Sequence, residues 1–134
     1  MTKEAVFYVV QKAFIKKNES ILILNDPKEG LDFPGGKIQE GEIDQVQALK
    51  REVREETGLE INVGDPFMTI MEPFPEDHAF KGKKFFLVAY KCEYISGEVK
   101  LSDEHDNFSW VTSENYKKVD DGTSYFDILS KYFN

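Results

Sequence analysis

Three glutamates, Glu52, Glu55 and Glu56, fall at positions i, i+3 and i+4, the spacing that stacks side chains on one face of a helix. Carboxylates gathered in this way repel one another unless something positive sits between them. Clustered oxygen donors without His or Cys suit a hard divalent cation, Mg²⁺ first and Mn²⁺ second. The bland alternative is a solvated acidic face that Arg51 and Arg54 partly neutralise. Two features weigh against it. The glutamates occupy the second half of their segment, near the negative end of a helix dipole, where carboxylates are disfavoured without a compensating cation. A glycine pair, Gly35-Gly36, lies just upstream and can bring backbone carbonyls close to the same face.

The element that must carry these groups runs from Asp44 to Thr57. Val46, Leu49 and Val53 recur at helical intervals, giving an apolar stripe that can face a core, with the glutamates roughly 100° around from it. Asp44 and Gln47 have capping-box spacing, and Gly58 supplies the left-handed residue that stops a helix.

These residues resemble the signature of the Nudix hydrolases, G-x5-E-x7-R-E-U-x-E-E-x-G-U, where U is a bulky aliphatic residue. Gly36, Glu42, Arg51, Glu52, Val53, Glu55, Glu56, Gly58 and Leu59 fill its named positions, and Phe-Pro-Gly-Gly-Lys is the usual run-in. One spacing departs from the pattern, with eight residues between Glu42 and Arg51 where it has seven. Because the cap and first turn still read normally, the extra residue is placed at Ile43, where it would pack on the first turn as a hydrophobic staple. It lengthens the path from Glu42 to the arginine it pairs with in the family. A phosphate-binding P-loop at Gly-Gly-Lys is rejected, because Ile38 and Leu31 stand where that motif needs Ser or Thr and a further glycine.

The whole chain of 134 residues reads as one domain, with 40% hydrophobic and 31% charged residues, as in ordinary globular proteins. A net charge of −8 disfavours long nucleic acids and anionic membranes as partners, which call for a basic face. It does not exclude a small phosphorylated ligand, whose charge bound cations would offset. Cys92, alone and in an apolar run, is expected buried and reduced. No stretch has transmembrane length and no signal peptide is read, so the cytoplasm is the expected location.

Strands are expected at Val6–Ile15 and Ser20–Leu24 with a turn at residues 16–19, then at Leu59–Val63 and Phe67–Met71 around a bulge or turn at Gly64-Asp65-Pro66. Further strands are read at Phe85–Tyr94 and Val99–Leu101, with short helices at Thr112–Lys117 and Ser124–Phe133. Glu72 to Lys83 is an irregular loop containing Phe74, His78 and Phe80. His78 has no second ligand at metal spacing, so a zinc role is not assigned to it.

Strands on both sides of one central helix imply a mixed sheet covered by helices, and the resemblance makes this the α/β/α sandwich of the Nudix fold. It implies a Mg²⁺-dependent pyrophosphohydrolase that cleaves a phosphoanhydride bond by attack of water held on the metal. The metal ligands would be Glu52, Glu55 and Glu56 with a backbone carbonyl of Gly35 or Gly36, and Arg51 would orient the carboxylates. A second region common in the family, an acidic turn before a Trp-Val strand, makes Glu104 a further catalytic carboxylate. Phe33, Lys37, Phe74 and Phe80 are the candidate substrate contacts. A nucleoside triphosphate, a nucleotide sugar and a dinucleotide all fit a motif that handles only the diphosphate. The alternative is a non-hydrolytic module that binds nucleotides, though such modules often lose the paired glutamates retained here. The oligomeric state is open, with a homodimer the commonest symmetric assembly.

Overall fold

The structure, a computed structural model, describes residues 2–134. Its elements, in chain order, are β1 (Tyr8–Lys17), β2 (Ser20–Asp26), β3 (Gly30–Asp32), β4 (Gly35–Lys37), α1 (Gln45–Thr57), β5 (Glu60–Pro73), β6 (Lys84–Ser96), β7 (Asn107–Val111), a 3-10 turn (Tyr116–Val119) and α2 (Ser124–Phe133). The seven strands form one mixed sheet of order β3-β2-β1-β6-β5, with β4 added to β1 and β7 added to β2.

Side-chain alternation along β1 explains why both faces of the sheet are covered. Val10 and Phe14 point into one core, shared with Phe126, Ile128 and Leu129 of α2, while Ala13 and Ile15 point into the other, shared with Leu49 and Val53 of α1. The α/β sandwich expected from the sequence is the architecture observed. Among the described residues no helix is long and apolar enough to cross a membrane.

The site is positioned by what happens at the two edges of β1. One edge runs parallel to β6 from Tyr8↔Phe85 to Lys16↔Glu93. The other is divided: β2 takes Lys16 and Lys17, and β4 takes Val10 to Lys12, so that Gly35 lies opposite Lys12 and Gly36 opposite Gln11. Only glycine fits there. Gly35 adopts φ 139°, and a Cβ on it would stand 2.0 Å from the Gln11 carbonyl oxygen.

α1 is bounded largely as its sequence requires. Asp44 accepts from the N–H groups of Val46 and Gln47, and Gly58, at φ 76°, donates its N–H to Arg54 O. The Gln47 half of the capping box does not form, and Ile43 is no staple: it is 98% exposed. The extra residue is therefore accommodated in solvent. Gly64-Asp65-Pro66 is a bulge inside a continuous β5, whose place at the edge of the sheet tolerates prolines.

Val99–Leu101 is not a strand. Its neighbourhood is used instead to close the C-terminal end of α1, with Lys100 N–H donating to Thr57 O at 2.8 Å and Ser102 N–H to Glu56 O at 3.2 Å. Those carbonyls have no partner within the helix, and satisfying them carries the following residues, Glu104 and His105, to the end of α1. The expected helix at Thr112–Lys117 is displaced to the 3-10 turn at Tyr116–Val119.

Candidate active site

A cavity of about 470 Å³ opens between the end of β4, the C-terminal half of α1 and the N-terminal end of α2. Glu52 and Glu56 reach it from α1, Gly35 and Gly36 from β4, and Glu104 and His105 from the segment before β7. Strand and helix approach so closely that a Cβ on Gly36 would lie 2.8 Å from the Glu52 carboxyl. Glu56 is buried and accepts a 2.8 Å hydrogen bond from Gly35 N–H. Burial pushes its carboxyl up to about 8, against the opposing pull of Lys12 and the Gly35 N–H. A buried carboxyl that resists ionising unless a cation arrives is suited to binding one. Burial likewise raises Glu52, with Arg51 acting in the other direction.

Arg51 gathers the remaining carboxylates. Its guanidinium meets Glu42 through two hydrogen bonds, Nε to Oε2 at 2.8 Å and Nη2 to Oε1 at 2.9 Å, then Glu52 at 3.1 Å and Glu55 at 2.8 Å. The extra residue before α1 has thus not broken the Glu42–Arg51 pair. Those bonds raise the Arg51 guanidinium and hold Glu42 below the usual carboxylate range.

Lys37 and Phe74 line the cavity as well. Phe80 stands behind Lys37, its ring 4.7 Å from the ammonium. Two residues named from sequence lie elsewhere. Glu55 has a side chain 57% exposed and is turned onto Arg51. Phe33 is fully buried and stacked on Phe14 at 4.1 Å, so its ring is a core contact and does not line the cavity.

The floor of the cavity was not read from the sequence. Lys12, 6% exposed, places Nζ 2.9 Å from Asp32 Oδ1 and donates to the carbonyls of Phe33 and Gly35 at 3.2 and 3.4 Å. Asp32 Oδ2 in turn lies 2.8 Å from His105 Nε2. Burial alone would lower Lys12 and raise Asp32, but their pairing reverses both, and Asp32 similarly lifts the buried imidazole of His105. Tyr125 of α2 completes this end, its hydroxyl pushed up to about 12 by burial. The available signal was a lysine in the middle of an apolar strand, on the same alternation as Val10 and Phe14.

The family model described as the NUDIX domain matches residues 5–131. The chain belongs to the Nudix hydrolase family. It is similar to the nucleoside triphosphatase NudI of Klebsiella pneumoniae subsp. pneumoniae, with 28% identity over 99 residues, 66% of this chain and 69% of that one. It is 31% identical over 110 residues to the CTP pyrophosphohydrolase of Escherichia coli K12, covering 78% and 76% of the two chains. Among solved structures, the MutT protein from Methanosarcina mazei Go1 superposes with a TM-score of 0.77 at 27% identity, covering 98% of this chain and 96% of that one. Within this Nudix hydrolase, the oxygen-rich end of the cavity fits a divalent cation: Glu52 and Glu56 stand against Gly36 and Gly35, carboxylate oxygens of Glu56 and Glu104 come within 4.8 Å of each other, and Lys12 is already committed to Asp32.

Proposed function

We propose that this Nudix hydrolase cleaves a phosphoanhydride bond of a nucleoside triphosphate or a related nucleoside diphosphate derivative, using Mg²⁺, with Mn²⁺ as a substitute. The observation that carries the reading is the meeting of Glu56 from α1 with Glu104 from a distant segment, with Glu52 set against Gly36 and Glu56 bonded to Gly35 N–H, in a cavity sized for a nucleotide. The activities for which the two bacterial relatives are named, nucleoside triphosphatase and CTP pyrophosphohydrolase, support the substrate class.

The cation would be held by Glu52, Glu56 and Glu104 with a carbonyl of the glycine turn, and Glu55 would join by turning from Arg51. It supplies neutralisation of the phosphoryl oxygens and a lowered pKa for water. The chain's own residues do the rest. Arg51 holds Glu42, Glu52 and Glu55 in register, Lys37 offers positive charge beside the phosphates, and a carboxylate of the cluster takes the proton of the attacking water. Phe74 and Tyr125 wall the part of the cavity left for the nucleoside. The whole is read as one domain working in the cytoplasm, where the buried Cys92 stays reduced.

Chromatography of the nucleotide products from a panel of nucleoside triphosphates, nucleotide sugars and dinucleotides, with release of phosphate or pyrophosphate from the triphosphates and of phosphate from the other products after phosphatase treatment, tests this. Turnover is expected with Mg²⁺ and none after chelation. A chain that binds nucleotides but releases no product at any Mg²⁺ concentration would be a binding module instead.

A further inference from the structure

The cavity brings a histidine to its carboxylates. A ring nitrogen of His105 and carboxylate oxygens of Glu56 and Glu104 all lie within 4.8 Å of one another. The His105 side chain is only 2% exposed, and its two nitrogens are treated differently. Nε2 is engaged by Asp32 Oδ2 at 2.8 Å, whereas Nδ1 is buried with no hydrogen-bond partner among the described residues. Buried polar atoms without partners are rare because each forfeits its hydration without compensation.

We propose that His105 is a nitrogen ligand of the divalent-cation site, so that the site holds Mn²⁺ through imidazole and carboxylates and binds it more tightly than Mg²⁺. The inference rests on the metal-dependent reading above and adds to it a ligand of a different chemical type. Three features support it. Asp32 accepting from Nε2–H fixes the tautomer that leaves the Nδ1 lone pair free, the arrangement in which a carboxylate orients a ligating imidazole. Asp32 is itself immobilised by Lys12 at 2.9 Å, so the ring has little freedom to turn away. His78, the other cavity histidine, has no such setting: its Nδ1 accepts from Phe80 N–H and its ring stacks on Phe74. Replacing one oxygen donor by imidazole favours transition metals over Mg²⁺, which keeps to oxygen ligands.

The test is electron spin-echo spectroscopy of Mn²⁺ added to the full wild-type chain, with calorimetric titration of Mn²⁺ and of Mg²⁺ alone. Nitrogen modulation from a directly bound imidazole is expected. In His105→Gln, whose amide can still donate to Asp32, that modulation disappears and the Mn²⁺ Kd rises about tenfold or more, a larger change than that of the Mg²⁺ Kd. Absence of nitrogen modulation in the wild-type protein overturns the proposal, whether or not the variant folds, and so does modulation that survives in His105→Gln. If Mg²⁺-dependent nucleotide turnover persists without a nitrogen contact, the His105 assignment alone fails. If neither ion binds and no nucleotide is hydrolysed, the hydrolase reading fails with it.

Discussion

The two ends of the cavity are built in opposite ways. At the glycine turn, partly exposed carboxylates are gathered by Arg51, whose partners Glu42, Glu52 and Glu55 all lie within ten residues of it. On the floor, Lys12, Asp32 and His105 come from β1, β3 and the segment before β7, and all are largely buried. One end is a local arrangement with charge to spare for a cation. The other is a closed chain in which every charge already has its partner. Removing a charge should therefore cost function at the first end and folding at the second.

The largest effect is expected on the floor. Lys12→Met leaves Asp32 buried without its cation and should destabilise the protein by about 3–5 kcal/mol, read from urea or guanidinium unfolding. A loss below about 1 kcal/mol would mean that water reaches Asp32 and that the contrast between the two ends is overstated.

Glu56→Gln should do the reverse. Turnover of a nucleoside triphosphate should fall at least about 100-fold, while thermal unfolding of the metal-free protein stays close to wild type, because a neutral side chain suits the buried position. Near-normal turnover in a folded Glu56→Gln protein would move the cation away from α1.

Glu56 and Asp32 also give pH dependences of opposite sign. The folded Glu56 carboxyl, raised from 4.5 to about 8, contributes stability that is complete below its unfolded value and is lost as pH rises through 8. The Asp32 carboxyl, held below 3.8, contributes stability that is present above that value and is lost as pH falls through its folded one. Binding of Mg²⁺ at pH 7 should consequently release about one proton, and far less at pH 9. Calorimetry in buffers of different ionisation enthalpy measures this; equal release at both pH values would contradict the Glu56 assignment.

The smallest effect belongs to Glu42→Gln. It removes the charge and one of the two hydrogen bonds by which Glu42 orients Arg51 but no group in the cavity wall, so turnover should drop about tenfold with the affinity for nucleotide little changed. A fall as large as that of Glu56→Gln would make the Arg51 network as important as the carboxylates it holds.

The same contrast decides what the sequence could reveal. α1 and its Asp44 and Gly58 caps are local features, carried by residues a few positions apart, and they stand as read, whereas of the three glutamates on it Glu55 is turned away onto Arg51. The floor depends on strand register, since Lys12 faces Gly35 only because β4 pairs with the N-terminal half of β1, and no spacing rule encodes that. Phe33 is, with Phe74 and Phe80, an aromatic that the sequence offers for the group beyond the diphosphate, yet a stacked contact with Phe14 draws it into the core. Val99–Leu101 reads as a strand because the Ser96-Gly97 turn would send the chain back along β6, but the unpaired carbonyls at the end of α1 claim its backbone. His105 was passed over beside Glu104, and its significance lies in the buried bond to Asp32, 73 positions away.

The central claim, a divalent cation seated between α1 and the glycine turn, is tested most directly by adding substoichiometric Mn²⁺ to the nitrogen-labelled protein and following its amide resonances. Paramagnetic broadening should centre on Gly35, Gly36, Glu52, Glu56 and Glu104 and be weakest at the turn between β1 and β2, Asn18 and Glu19, which lies six or more strand residues beyond the Lys12–Gly35 pair and so roughly 20 Å from it. Broadening spread evenly over the acidic surface, or centred away from the glycine turn, would contradict it.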